Sequence, residues 1–348
     1  MLSRLQQLTT IGLLLAALVW AMYFLANGSP GWAAVGALLI VWGYSIFLAA
    51  EFITLWFVNR KDPAPRATVR QHVRAWWGEV VTTPGIFCWR QPFCANAVAD
   101  YLPQGADRRG VLFVHGFLCN RGLWNPHMRM LRVQGIPSVA VNLEPVFGSI
   151  DSYADLVEKA IRRIKAATGQ PPVIVAHSMG GLAVRAWLDA YQGDGHAHRI
   201  ITIGTPHRGT FLGKYAFSPN AKQMNLSSNW QRRLAAREPA HRFNCFTCFY
   251  GHCDNIVFPA STATLPGADN RHIAATAHVH MAHHDEVFNE LLRWVRSPND
   301  VGCADSDPGL GTSGTAAGPD GHACGPPGLP RITYSEGKAG AGHMSRRG

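Results

Sequence analysis

The segment VIVAHSMGGLAVRAWL, Val173 to Leu188, changes character at a single residue, Ser178. Before the serine the residues are apolar and rich in valine and isoleucine, as a short buried strand requires. After Gly181 apolar residues recur at helical spacing. A chain that passes from strand to helix at one residue must turn sharply. Small residues two before and two after the turn, here Ala176 and Gly180, permit it. A hydroxyl at such a corner is held clear of the backbone, and the helix N-terminus behind it favours a developing negative charge. The corner demands a strand-to-helix architecture and marks Ser178 as a possible nucleophile.

The rest of the middle of the chain repeats this alternation. VLFVHG (111–116), RIITIGTP (199–206) and FNCFTCFYG (243–251) read as strands. SYADLVEKAIRRIKAATG (152–169) has helical periodicity and a glycine stop, and DEVFNELLRWV (285–295) reads as a final amphipathic helix. Earlier, EVVTTPGIFCWR (79–90) reads as a strand pair about a Pro84–Gly85 turn. Strands alternating with helices predict an α/β fold, a mostly parallel sheet covered by helices on both faces. No internal repeat is present. Beyond Pro298 periodicity is lost, and residues 298–348 read as a disordered tail rich in Gly, Pro and Ala.

The N-terminus is different in kind. Leu8 to Ala26 carries no charge and approaches the ~20 residues a spanning helix needs. After the break NGSP (27–30) a second apolar run, Trp32 to Val58, is interrupted only by Glu51. The pair predicts a transmembrane hairpin over residues 1–60, with cleavage after Ala26 as the alternative. Glu51 is read as lying near the interface beside Arg60 and Lys61, and Trp32, Trp42 and Trp56 as interfacial anchors. Arg4 before the first span and a basic linker (61–75) after the second place both ends in the cytoplasm by the positive-inside rule. The protein is then expected to be multi-pass, in a bacterial inner membrane, with its 76–297 domain on the cytoplasmic face.

The formal net charge of +10 is read through the same linker. Arg60, Lys61, Arg66, Arg70 and Arg74 suit anionic lipid headgroups, and no nucleic-acid motif accompanies them. In the cytoplasm all eight cysteines are expected to be reduced, whereas a periplasmic domain would make a Cys88–Cys94 or Cys245–Cys253 bridge conceivable. Cys245, Cys248, His252 and Cys253 resemble a metal cluster, but 245 and 248 fall on opposite faces of a strand, so no metal is expected.

A serine needs a base, and the base needs an orienting acid. Asp254 follows the strand at 246–250, and ATAHVHMAHHDEV (275–287) supplies histidines. His278, at the end of the loop, is the choice for base and His280 the second candidate. His283 and His284 are assigned to the helix start. An oxyanion needs two backbone N–H donors. Met179, after the serine, and Phe117, in the loop after the 111–114 strand, offer them. His115 and His207 are read as loop supports, and Arg185 as a helix-surface or buttressing residue.

VHGF (114–117), AHSMGG (176–181), IGTPHRGT (203–210), DNIVFP (254–259) and HVHMAHHDEV (278–287) together resemble the bacterial triacylglycerol lipases and esterases of the α/β-hydrolase fold, over roughly Trp76 to Arg296. The departures are Ala176 for the first glycine of G-x-S-x-G, the apolar N-terminus, the tail and the extra histidines. The resemblance implies Ser178 as nucleophile, Asp254 as acid and His278 as base, with Phe117 and Met179 as oxyanion donors. It also implies ester hydrolysis through an acyl-enzyme, with no cofactor. The long segment at about 211–242 is expected to form a cap or lid over an acyl pocket, against a solvated surface helix pair. Membrane tethering favours a lipid-like ester. An acyltransferase using the same triad, or an inactive binding protein on the same fold, would share these features.

Overall fold

A computed structural model describes residues 1–297 except Ser227, and the expected tail at 298–348 lies outside the described residues. The N-terminal part comprises α1 (Leu2–Ala26), α2 (Pro30–Trp42), α3 (Tyr44–Val58), α4 (Val69–Pro84) and α5 (Gln91–Cys94). The α/β part follows as β1 (Val111–Val114), α6 (Asn125–Val133), β2 (Ser138–Ala140), α7 (Ala154–Thr168), β3 (Val173–His177), α8 (Met179–Tyr191) and β4 (Arg199–Ile203). Then come α9 (Pro219–Gln223), α10 (Asn229–Arg237), β5 (Phe246–Tyr250), β6 (Asp269–His272), α11 (His278–Met281) and α12 (Asp285–Val295).

The six strands form one parallel sheet in the order β2-β1-β3-β4-β5-β6. Alternation along each strand divides its side chains between two cores. Leu112, Val114, Ile174, Ala176 and Ile200 face α7 and α8, where Ile161, Leu182 and Trp187 meet them. Val111, Phe113, Val173, Val175 and Ile201 face α6 and α12, against Trp124, Leu131 and Leu291. Each of the valine, leucine, isoleucine and phenylalanine side chains, fully withdrawn from water, contributes about 1.5–3 kcal/mol. Helix α7 ends where Gly169 adopts φ 68°, as its glycine stop predicts.

Four expectations are corrected. Residues 79–90 form no strand pair: Glu79 to Pro84 close α4, and Gly85–Arg90 continue as a π-helical turn. The helix is set upstream by a capping box, in which Thr68 Oγ1 accepts the Gln71 N–H and Gln71 Oε1 accepts the Thr68 N–H. It is held by burial of Ala75, Glu79 and Val80, and tertiary packing outweighs the β preference of Val80 to Thr83. Since α4 begins at Val69, the second half of the expected linker is helical.

The second apolar run is also not one straight helix. It breaks at Gly43 into α2 and α3, and the pair is bent by 52°. α2 has 13 residues, a rise of about 20 Å against a hydrocarbon core of about 30 Å. Among the described residues α1, with 25 residues, is the single helix long and apolar enough to cross a membrane. It packs against α2, where Trp20 Nε1 donates to the Trp32 carbonyl at 2.8 Å and the Trp20 ring fills the space a side chain at Gly36 would need.

The N-terminal helices are joined to the α/β part by a third core. Phe52 and Leu55 of α3 and Ala75 of α4 pack with Cys253, Phe258 and Ala277. Glu51, expected beside Arg60 and Lys61, is buried on this inner face.

Candidate active site

Ser178 follows β3 directly and precedes the first turn of α8, with φ 55° and ψ −128°. Positive φ in a residue with a Cβ is strained, and the surroundings fix it. The Ser178 N–H donates to the Ile203 carbonyl at 2.8 Å. The turn fits only because its neighbours are small: a Cβ on Gly180 would lie 2.6 Å from the His115 carbonyl oxygen, and one on Gly116 would lie 2.7 Å from the Ser178 Cβ.

Asp254 lies four residues beyond β5. Its Oδ1 accepts the N–H groups of Ile256 at 3.0 Å and Val257 at 2.8 Å, which fixes the carboxylate. Its Oδ2 accepts from His278 Nδ1 at 2.9 Å, and both side chains are buried. With Nδ1–H given to Asp254, Nε2 is the nitrogen left to accept a proton. Burial opposes protonation of His278. The charge of Asp254 and the hydrogen bond to it, with smaller contributions from Glu79 and Glu51, outweigh that and hold its pKa above the ordinary imidazole value.

Ser178 and His278 line one cavity of about 760 Å³. Phe87, Phe117, Phe147, Leu212, Phe217 and Val257 make most of its wall apolar. Phe117 stands in the loop after β1, and Met179 opens α8, where helix N–H groups lack intrahelical partners. The loop bearing Phe117 is set by His115, whose Nε2 accepts the Leu143 N–H at 3.0 Å and whose Nδ1–H donates to the Gly116 carbonyl at 2.8 Å. Burial lowers the His115 pKa to about 4, so the ring is neutral.

The remaining histidines separate by their contacts. His280 lies against Gly78 of α4, away from Asp254. His283 stacks on His127 with ring centroids 5.2 Å apart and meets Arg90 Nη1 at 3.2 Å. His284 caps α12, its Nδ1 accepting the Glu286 N–H at 3.4 Å. Of these four histidines, His278 is the one hydrogen-bonded to Asp254.

Four residues absent from the sequence-based constellation surround it. The His177 ring lies 4.6 Å from that of His278, and its Nε2–H donates to the His278 carbonyl at 3.1 Å. Burial, then the nearby His278 charge, pushes the His177 pKa well below the ordinary value. Asn255 Oδ1 accepts the His278 N–H at 3.2 Å, while its Nδ2 donates to Glu51 Oε2 at 2.6 Å. Glu79 of α4 accepts the N–H groups of Val279 and His280, each at 3.0 Å. Burial raises its pKa, and those two hydrogen bonds work against the rise. Glu51 stands out in the sequence as the one charge in an apolar run, and Glu79 does not stand out at all; the partners of both lie some 200 positions away.

Of the two readings of Arg185, surface or buttress, its contacts fit the buttress. Arg185 is 2% exposed, with Nε donating to Glu238 at 2.9 Å and Nη1 to the His207 carbonyl at 2.8 Å. His207 Nε2 in turn meets Thr202 Oγ1 at 3.1 Å. The segment at 211–242 divides: Leu212, Tyr215, Phe217 and Met224 line the cavity, while Trp230 and Arg237 pair with Asp151 and Asp189 on the α7–α8 side. The six described cysteines are unpaired.

A parallel sheet, a strained serine between β3 and α8, an aspartate after β5 and its histidine partner at the start of α11 define a class of protein. The chain belongs to the alpha/beta hydrolase family, whose model matches residues 111–343. Among solved structures it is similar to the mature Bacillus licheniformis lipase BlEst2 (14% identity, 57% of this chain and 96% of that chain, TM-score 0.48). It is also similar to Aspergillus fumigatus lipase B (19%, 52% and 51%, TM-score 0.47) and to a monoacylglycerol lipase from Paleococcus ferrophilus (13%, 55% and 97%, TM-score 0.40). No curated protein matches the sequence.

Proposed function

We propose that the chain is a membrane-associated serine hydrolase of carboxylic esters. The observation that carries this reading is the 2.9 Å His278–Asp254 pair, whose histidine lines the same cavity as Ser178. Ser178 attacks the ester carbonyl while His278 Nε2 takes its proton, and Asp254 keeps the ring in the required tautomer and stabilises its charged form. The N–H groups of Phe117 and Met179 receive the oxyanion. The alcohol leaves with the proton held by His278. Water, activated by the same nitrogen, then releases the acid from the acyl-enzyme. A mostly apolar cavity of about 760 Å³ suits an acyl chain, and residues 211–224 serve as its cover.

The N-terminal helices anchor this unit, α1 as a span and the bent α2–α3 pair as its return. Their exposed surfaces are almost wholly apolar, as a lipid-facing surface requires. The positive-inside rule keeps the hydrolase on the cytoplasmic face.

The test is labelling of the detergent-purified protein by a fluorophosphonate, then turnover of p-nitrophenyl esters of increasing chain length, with Ser178→Ala and His278→Ala alongside. The expected result is labelling and turnover that favour long chains and vanish in both variants. A folded wild type that takes no label would refute the assignment. Products carrying the acyl group on an added alcohol would move it to acyl transfer.

A further inference from the structure

Helix α4 carries a feature that neither the anchor nor the chemistry uses. Val69, Val73, Trp77 and Val81 recur every four residues and are 77, 57, 57 and 55% exposed. The opposite face buries Ala75, Glu79 and Val80. Arg70 and Arg74, both exposed, follow the first two stripe residues by one position and flank the stripe. An apolar stripe bordered by arginines is the pattern of a helix that lies in a membrane interface. In water the same stripe would be an adhesive patch.

The neighbouring helix identifies the occupant. α3 runs beside α4: Tyr44 Oη donates to the Val80 carbonyl at 2.8 Å and Trp76 Nε1 to the Ser45 carbonyl at 3.0 Å. On α3, too, one face packs inward while Ile46, Phe47, Ile53 and Phe57 are exposed. The stripe therefore continues the apolar surface of the anchor, and its arginines complement anionic headgroups. Leu48 of α3 and Thr83 of α4 also line the cavity that holds Ser178, so a bilayer covering these helices would lie along the cavity wall.

We propose that α4 lies in the plane of an anionic membrane surface with its Val69–Val81 stripe sunk into the acyl boundary, and that the hydrolase draws ester lipid from that leaflet. The docking does not depend on the chemistry; the choice of substrate rests on the hydrolase reading. The probe is a nitroxide on Val73→Cys in the full chain, with Cys88, Cys94, Cys303 and Cys324 changed to serine. The protein is placed in phosphatidylcholine vesicles containing phosphatidylglycerol, with an exposed Lys159→Cys label as control. The expected result is that the label at 73 collides more often with oxygen than with an aqueous nickel chelate, and that the control does the reverse. A label at 73 that behaves like the control overturns the docking. A label shielded from both reagents, with broadening that grows with protein concentration, overturns it in favour of a second copy.

The functional arm pairs Val73→Glu with Trp77→Glu. Turnover of a vesicle-borne long-chain ester should fall about tenfold or more, because charge is expelled from the interface. Turnover of a dissolved acetyl ester should hold. Equal losses on both substrates overturn the choice of leaflet lipid. A protein that does not float with vesicles refutes anchor and docking together, whereas loss of the hydrolase assignment leaves the labelling result intact.

Discussion

Glu51 and Asn255, 204 positions apart in the chain, share a 2.6 Å hydrogen bond. Through it an apolar N-terminal helix reaches the backbone of the proposed base, since the other end of Asn255 accepts the His278 N–H. The shape-conserving variant Asn255→Leu leaves that N–H and the Glu51 carboxylate without their partner. Each unpaired buried group costs about 1–3 kcal/mol. We expect a lower melting temperature and a loss in kcat exceeding any change in KM. An unaltered kcat would show that the link does not position His278.

Asp254→Asn keeps the shape of the acid but offers a donor where an acceptor is needed, forcing the wrong imidazole tautomer. By analogy with such triads kcat should fall about 10⁴-fold with labelling slowed to match. The effect is specific: neither change should appear in Asp155→Asn, whose carboxylate accepts the Tyr191 hydroxyl at the exposed surface of α7 and α8.

The base must be neutral to work, and its pKa is raised. The rate should therefore fall as pH drops through that raised value, and the acid limb should shift to lower pH when Glu79→Gln removes one of the charges that raise it. Stability responds with the opposite sign. The contribution of His278 is fully present below the unfolded imidazole value of about 6.5 and is lost as pH climbs through the folded value.

Buried neutral histidines act the other way. His115 and His127 are pushed down to about 4 by burial, and for His127 also by Arg90. Between about 6.5 and 4 the unfolded chain binds protons at these sites and the folded chain does not. Stability should decline as pH falls through that window. Thermal melts at pH 7, 5.5 and 4.5 measure it, and a melting temperature that is flat across the three would count against neutral burial.

Arg185 and Glu238 form an ion pair 2% and 0% exposed beneath the His207 loop. Arg185→Met strands a buried carboxylate and should cost about 3–5 kcal/mol, while Arg185→Met with Glu238→Leu should recover most of it. Denaturant midpoints of the two variants decide the point.

The sheet was legible because its central strands are continuous apolar runs, and α7 and α12 because their periodicity is clean. β2 and β6 escaped notice: one has three residues, and the other, Asp269–His272, is wholly polar. The end of α4 is hidden in the sequence because Val80 to Thr83 and Pro84–Gly85 have the local chemistry of a hairpin. The decision for helix comes from the Thr68 cap, twelve residues before Val80, and from burial against a distant loop. For the same reason Ser178 and the histidine loop could be picked from local pattern, whereas Glu51 and Glu79 could not. Their roles exist only once residues 51 and 79 meet residues 255 and 279.

The third core, shared by α3, α4 and the loops after β5 and β6, bears on how such an enzyme can be handled. A shortened chain that began after residue 60 would keep its whole sheet, yet it would lose Leu48 from the cavity wall and Phe52 and Leu55 from behind Phe258. The stump would offer a wider apolar trough, with one of its walls gone. Trimming the greasy N-terminus to gain an easily purified protein would thus remove a wall of the reaction vessel along with the handle.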